Sequence, residues 1–565
     1  MAPRGPDGAG TWVSADERVA LGHRRLAIID LSDRGAQPMR AANDAAIISF
    51  NGEIYNYRAL RTSLEQRGYR FSSDSDTEVL LHLYADRGDA MFAELRGMFA
   101  FALWDSVKGE LVLARDPFGI KPLYYADDGS CVRAASEVKA LRAGGAVDTS
   151  PEPAGHVGFF LWGHVPEPYT LHRGIRSLEA GTVMRVTRDG RKSTRTFASV
   201  RELLSVAEAN RPSERDAAGA LRDALVDSVK HHLVADVDVA VFLSAGLDSA
   251  TILGLAAETG AIPRTITLGF DEYRGTAQDE TATAEAVAAH YGAEHRTVWI
   301  TRETFEADVE TLIDRMDSPS TDGINSYFVA KAAAACGFKV ALSGLGGDEL
   351  FGGYPSFRDI PRLIAAVGHV PHRPAVGRAM RNVIAPILPR AASPKYAGLV
   401  EYGGDHASSF LLRRALFMPW ELPSVLDAEL VRDGLAELDT VGRLSASIAG
   451  LTSDHAKISA LESTWYMRDR LLRDVDWAGM SHSVEVRVPL VDWTLWQAAA
   501  PFACAGMANK QSLARAVTRS LPANVLGRPK TGFAVPAREW AARSRGGVHD
   551  RGLRGWARML YAGAA

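Results

Sequence analysis

From Val237 to Leu253 the chain reads VDVAVFLSAGLDSATIL: an apolar run, Val239-Ala240-Val241-Phe242-Leu243, then the small turn Ser244-Ala245-Gly246-Leu247-Asp248-Ser249, then a helical pattern. An uninterrupted apolar run suits the centre of a parallel sheet, buried on both faces. The small residues that follow let backbone N–H groups and two hydroxyls close around a phosphate at a helix N-terminus, where the dipole favours anions. One such turn is common in α/β proteins and is weak by itself. A second strand-to-loop unit strengthens it: KVALSGLGGDELFGGY, Lys339 to Tyr354, sets Asp348 after another glycine-rich turn, as a magnesium–nucleotide site needs.

Between these units the pattern alternates, with strands expected at 237–243, 265–270, 295–300 and 339–343 and helices at 248–258, 279–291 and 324–336. That rhythm predicts an α/β doubly wound parallel sheet, with ligands beyond the carboxyl ends of its strands, where both turns fall. The preceding residues read differently. Short β-like runs at 45–50, 98–104, 111–114 and 123–125 are punctuated by Asn51-Gly52, Asp127-Asp128-Gly129 and Asp189-Gly190, and helical patterns run over 57–66 and 76–84. This predicts an α+β domain of stacked antiparallel sheets with helices. A polar linker over 208–216 separates the two, so domains are expected at 1–195 and 210–565, the second ending in a mostly helical part. No fixed-period repeat is present.

Composition narrows the function classes. At 565 residues with 47% hydrophobic and 23% charged, the chain can bury more than one core. A net charge of −4, from 64 basic and 68 acidic residues, gives no electrostatic case for nucleic acid. Cys131, Cys336 and Cys504 are too few and too scattered for a disulfide framework or a cysteine zinc site, and fit a reducing compartment. No apolar run approaches the about 18 residues of a membrane span, and the opening residues do not resemble a signal peptide. A soluble cytoplasmic protein that acts on small molecules is expected.

Several segments, in order along nearly the whole chain, resemble one family. Ser244-Ala-Gly-Leu-Asp-Ser249 is similar to the SGGLDS signature of the asparagine synthetase branch of ATP-pyrophosphatase-type enzymes, with Ala245 where glycine is usual. Ser343-Gly344 with Gly347 to Tyr354 resembles the second nucleotide loop, and Ser483 to Asp492 and Arg528 to Phe533 resemble two later segments. Arg4 to Asp7, Arg25 to Asp30, Gly35 to Pro38, Asn51 to Asn56, Ser75 to Glu78 and Arg115 to Pro122 resemble the N-terminal-nucleophile glutaminase domain, the glutamine amidotransferase type 2 fold.

The resemblance implies glutamine-hydrolysing asparagine synthesis. A carboxylate is adenylated with ATP and Mg2+, pyrophosphate leaves, and ammonia attacks the acyl-adenylate. It assigns Asp248 and Asp348 to magnesium, and Ser244, Gly246, Asp248 and Ser249 to the pyrophosphate. Leu243, Leu268, Ser343 and Gly344 are assigned to adenosine, although plain core packing explains the two leucines equally well. Lys530, flanked by Arg528-Pro529 and Gly532-Phe533, is assigned to charge on the forming adenylate, with Glu349 nearby as a second catalytic candidate. On the glutamine side, Arg25 and Asp76 would clamp the α-carboxylate and α-amine, Asn51 and Gly52 would form the oxyanion hole, and Glu53 would flank the substrate. The small-molecule partners are glutamine or ammonia, aspartate or another carboxylate, and ATP; the resemblance leaves a homodimer open.

Two departures qualify these implications. Leu345 stands where the family commonly has glutamate, so an acceptor carboxylate other than aspartate, a β-lactam-closing relative and a silent regulatory homologue stay open beside asparagine formation. The family's glutaminase uses a cysteine at residue 1, whereas this chain opens Met1-Ala2-Pro3-Arg4. The chain as written is expected to depend on ammonia, its first sheet lacking a central strand. Either the start was assigned too late or the protein is truncated; the retained substrate clamps favour the first. The tryptophans Trp465, Trp477, Trp493 and Trp496 are expected in the core, and the basic stretch Arg545 to Arg558 on a solvated helix.

Overall fold

The computed structural model describes residues 1–41, 44–210, 212–213, 217–260, 262–371, 373–387, 393–528, 536, 540 and 552–564. In the first part of the chain, strands β1 (Gly8–Val13), β2 (Ala20–Arg25), β3 (Met39–Arg40), β4 (Ala46–Ile54), β5 (Gly97–Asp105), β6 (Glu110–Arg115), β7 (Tyr124–Asp127), β8 (Val132–Ala135), β9 (Ile175–Ser177), β10 (Thr182–Thr187) and β11 (Lys192–Thr196) form three antiparallel sheets. The largest has the order β11-β10-β6-β5-β4-β3, unbroken; β1-β2 and β8-β7-β9 are separate.

Strand alternation explains the layering. Ile48, Phe50, Phe99 and Phe101 point to one face of the large sheet, where they meet Leu60, Leu64, Val79 and Leu80 of the helices Tyr57–Gln66 and Asp76–Arg87. Ile47 and Trp104 point to the other face, against Leu21 of β2, while Ala100 and Leu113 meet Leu123 and the three-stranded sheet. Asn51-Gly52 does not turn the chain. Both residues continue β4 in register with Ala100 and Phe99, and Gly52, at φ +146°, sits so close to the Met98 carbonyl that a Cβ would overlap it.

The second half carries the expected doubly wound sheet. Strands β12 (Val239–Phe242), β13 (Arg264–Phe270), β14 (Glu294–Ile300), β15 (Val340–Leu342) and β16 (Glu485–Arg487) lie parallel in the order β14-β13-β12-β15-β16. The helices Leu247–Ala257, Thr281–His290 and Ile324–Ala335 fall where the alternation places them. Strand order reverses at β12, which has β13 on one side and β15 on the other, so the turns after β12 and β15 open side by side at a topological switch point. β16 escapes the sequence pattern because it is three residues long and arrives from far along the chain.

The rest is helical; of the basic stretch Arg545 to Arg558, expected on a solvated helix, residues 545–551 lie outside the described residues and the remainder lies on a docked helix rather than a solvated one. The helix Pro153–Trp162 packs into the C-terminal helical core, where Phe159, Phe160 and Trp162 join Phe410, Phe417 and Trp465, rather than with the sheets that flank it in sequence. The helix Leu553–Ala564 is docked: Trp556, Ala557 and Leu560 are buried and Arg554 pairs with Glu421. Trp465, Trp477 and Trp496 are buried as expected, with Trp493 packed at the margin of the core. Among the described residues no helix is long and apolar enough to cross a membrane, and all three cysteines are free.

Ion pairs join the two halves. Arg487, on edge strand β16 and wholly buried, donates to Glu485 at 2.9 Å and to the carbonyls of His232 and Val234 at 2.9 and 2.6 Å, and faces Glu53 of β4 at 3.5 Å. Arg4 meets Asp476 at 2.8 Å, and Arg96 meets Asp492 at 2.8 Å. Removing one member of a buried pair leaves the other uncompensated. Arg487→Met is expected to cost about 3–5 kcal/mol in urea unfolding, with Glu53→Gln added to it recovering part of the loss; a change under about 1 kcal/mol would show that Arg487 does not hold the halves together.

Candidate active sites

Between the large sheet and the two small ones lies a cavity of about 690 Å3 that brings together all five residues assigned to glutamine: Arg25, Asn51, Gly52, Glu53 and Asp76. Arg25, at the end of β2, is anchored through its guanidinium to the carbonyls of Ser32 (2.8 Å), Ile29 (3.4 Å) and Asp30. Asn51, which lines the cavity, has its Nδ2 buried without a hydrogen-bond partner. Asp76 opens the helix that Ser75 caps, and accepts from Ile54 N–H at 3.0 Å. Burial, with Glu485 adding like charge, pushes its carboxyl up to about 6 against the Ile54 and Thr77 N–H groups and Arg487. Burial likewise raises Glu53 well above the ordinary carboxylate range, with Arg487 opposing and Glu485 and Asp76 reinforcing.

The second site forms where β12 and β15 end. Gly246 precedes the helix Leu247–Ala257 and supplies no side-chain cap, leaving its first N–H groups for another acceptor. The turn is closed on itself: Ser244 and Ser249 hydroxyls lie 2.9 Å apart, and Ser244 Oγ accepts from Gly246 N–H at 3.1 Å. Ser343 and Gly344 lie in the adjacent loop. Gly347 lets that loop approach, since a Cβ there would come within 2.7 Å of Asp248 Oδ1. Leu243, directly before the first loop, and Leu268 are 3% and 4% exposed and pack into separate cores.

Asp248 and Asp348 do converge, and what joins them was not anticipated. Lys510 Nζ pairs with Asp248 and lies 3.1 Å from Asp348 Oδ1. Burial works against its charge, but the two carboxylates outweigh it and raise the ammonium above its ordinary value. Lys510 begins a five-residue helix capped by Asn509, in a stretch with no motif, so only its cap was readable. Two carboxylates on neighbouring phosphate loops are the donor set that Mg2+ uses beside a nucleotide, and the pairing with an ammonium shows that the position accepts a cation. Among the described residues no group of three or more acidic, histidine or cysteine side chains could hold a metal by itself. Lys530 lies outside the described residues.

Glu349 is wholly buried beside these groups and accepts from Tyr354 Oη at 2.9 Å. Burial, then Asp348, raises it to about 8. Leu345 packs at the edge of the core and offers no polar group to this site.

The fold and sites define a two-part enzyme, an amidotransferase-type domain with a polar pocket joined to a parallel-sheet domain with paired phosphate loops. Residues 1–198 match the glutamine amidotransferase domain and residues 220–553 match asparagine synthase. A Mycobacterium tuberculosis relative is 35% identical over 96% of this chain and 83% of its own. "Asparagine synthetase [glutamine-hydrolyzing] 1" of Bacillus subtilis is 34% identical over 95% of this chain and 83% of its own. "Amidase chry2" of Gibberella zeae is 32% identical over 63% of this chain and 54% of its own. The chain belongs to the asparagine synthetase family and is a carbon–nitrogen ligase of the glutamine-hydrolysing type, with an ATP-using synthase domain.

Two outcomes test the geometry. Lys510→Ala leaves the Asp248 and Asp348 carboxylates facing each other and removes a fixed positive charge from the phosphate loops; ATP–pyrophosphate exchange should fall by about 10²-fold, and an unchanged rate would make the lysine purely structural. Asp76 titrates near 6, so its negative charge is present above that pH and lost below it. Calorimetric affinity for glutamine should therefore drop by about tenfold between pH 7 and pH 5, and Asp76→Asn should bind weakly and flatten the profile.

Proposed function

We propose that the chain forms an amide from a carboxylate acceptor through an acyl-adenylate, with aspartate as the reference acceptor and glutamine or ammonia as nitrogen donor. An acceptor carboxylate oxygen attacks the α-phosphorus of ATP, and the bond to pyrophosphate breaks. Ammonia then attacks the acyl carbon, AMP leaves with the bonding electrons, and the surplus proton passes to water or to a nearby base. The observation that carries this reading is the convergence of Asp248, Lys510 and Asp348 at the ends of β12 and β15.

The residues divide the work by charge. The N-terminus of the helix at Leu247, with the Ser244 and Ser249 hydroxyls, suits the phosphates of the nucleotide. Asp248 and Asp348 would hold Mg2+, which when bound neutralises the departing pyrophosphate. Lys510 supplies a fixed positive charge next to it, and Glu349, held by Tyr354 Oη, is the second catalytic candidate. On the other side, Asn51 Nδ2 and Gly52 N–H would bind an amide oxygen that gains charge, and Arg25 and Asp76 the two ends of an amino acid. A reducing, cytoplasmic setting suits the three free cysteines.

A second reading, amidation of another carboxylate, draws support from Leu345, which cannot order an acceptor's amino group as a glutamate would. The experiment is product analysis by mass spectrometry after incubating the chain with Mg-ATP, aspartate and either ammonium or glutamine. Asparagine plus AMP with ammonium is expected, with Asp248→Asn abolishing it. AMP formation with no asparagine, in a protein that binds ATP, would overturn aspartate as the acceptor.

A further inference from the structure

The large apolar side chains that the protein leaves in water gather in one place. Among the described residues, Val376, Met380, Val383 and Ile387 are 39%, 41%, 69% and 75% exposed, spaced by three and four along the helix Arg373–Ile384 and the turn Ala385–Ile387 that extends it. That spacing sets them on one side of the helix. Tyr396, also exposed, stands on the turn Pro394–Gly398, which packs against the same helix. The other exposed residues of this kind are scattered singly along the chain, which is ordinary, whereas a contiguous stripe marks a contact.

The helix rests on the protein by one edge. Of its described residues only Gly377 is buried, against the backbone of Glu401 in the short helix Leu399–Tyr402. Arg373 and Arg381 are half-buried on the same edge, paired with Asp405 and Glu401. At about 3.6 residues per turn, Arg378 falls on the side opposite the stripe, and its side chain is 66% exposed. The result is an amphipathic helix at the periphery with its apolar stripe in solvent.

The surroundings of this helix are cationic. Residues 356–418 carry nine arginines and lysines and three carboxylates, in a chain whose net charge is −4. Those carboxylates are all in use. Asp359 serves Arg358 at 3.0 Å and Arg413 at 3.4 Å, Glu401 serves Arg381 at 2.7 Å and Arg378 at 3.7 Å, and Asp405 serves Arg373 at 3.1 Å. Arg414 is matched by Glu462 from outside the segment. Arg362, on the preceding helix Ser356–Val367, is exposed and among the described residues meets no carboxylate. Two carboxylates shared by four arginines, with Arg362 in addition, leave positive charge on this surface unmatched.

We propose that this face docks on an anionic lipid surface. The stripe from Val376 to Ile387 enters the boundary between headgroups and acyl chains, Tyr396 sits at the headgroup level with its hydroxyl in water, and the surplus arginines meet lipid phosphates. Apolar area alone would serve any hydrophobic partner; the charge selects among them. A second copy of the chain meeting this helix face to face would bring like charges together, and a neutral partner would leave the surplus unmatched. Lipid phosphates satisfy it, and a guanidinium pairs with phosphate through two parallel hydrogen bonds.

The test sediments the full chain with vesicles of phosphatidylcholine alone and of phosphatidylcholine mixed equally with phosphatidylglycerol, at low and at physiological ionic strength. Binding to the mixed vesicles is expected to be at least about tenfold tighter than to the neutral ones, and the preference should shrink as salt rises. Met380→Glu combined with Val383→Glu changes only exposed positions, so the fold and the calorimetric affinity for ATP should stay as they are while vesicle binding falls by about tenfold or more. Arg362→Glu combined with Arg378→Glu should remove the preference for anionic vesicles. Equal binding to both vesicles, binding to neither, or binding undiminished in the Met380→Glu, Val383→Glu chain overturns the proposal. Sedimentation velocity of the free chain is read alongside: a dimer that this double variant splits, with no vesicle binding, would assign the face to a second copy instead.

Discussion

The guanidinium of Arg487 is the contact on which the two halves depend. It has no exposure to solvent, so its charge must be balanced within the protein, and its partners come from three directions: Glu485 on its own strand, the carbonyls of His232 and Val234 after the helix that precedes β12, and Glu53 in the glutamine-side cavity. A buried charge with partners on separate elements fixes their relative positions, because letting any one go strands the others. The edge of the parallel sheet therefore ends inside the wall of the first pocket. Lys121 extends the arrangement, lying 3.4 Å from Glu485 and 3.7 Å from Asp476, which also pairs with Arg4.

The electrostatics differ between the pockets in a way that suits their cargo. The first sets Glu53, Asp76 and Glu485 near Arg487 and Lys121, with Arg4, Arg24 and Arg25 also on its wall, and burial raises Glu53 and Asp76. The phosphate loops instead place a lysine between two aspartates, beside the N-terminus of the helix Leu247–Ala257. Beyond them the helical part turns cationic.

Much of this was legible in the residues. The apolar run before Ser244 and the strand before Ser343 predicted a parallel sheet with both turns at its carboxyl end, and β12 and β15 lie there because burial on both faces demands uninterrupted apolar strands. The helices at 57–66 and 324–336 follow from local periodicity. Asn51-Gly52 misled as punctuation, because the backbone of β5 comes so close that only glycine fits within a continuous strand. Lys510 and β16 were not readable: the lysine owes its role to carboxylates far away in sequence, and a three-residue strand has no period to detect.

By itself the sequence determined the strand–turn–helix units, the acidic residues that follow them and the family to which the chain belongs, because those properties reside in local pattern and in spacing along the chain. Tertiary structure decided that Lys510 sits between Asp248 and Asp348 and that Arg487 reaches Glu53. Each of these joins groups from distant segments. Their energies come from burial and from charge at a few ångströms, which exist only once the sheet order and helix packing have brought the segments together.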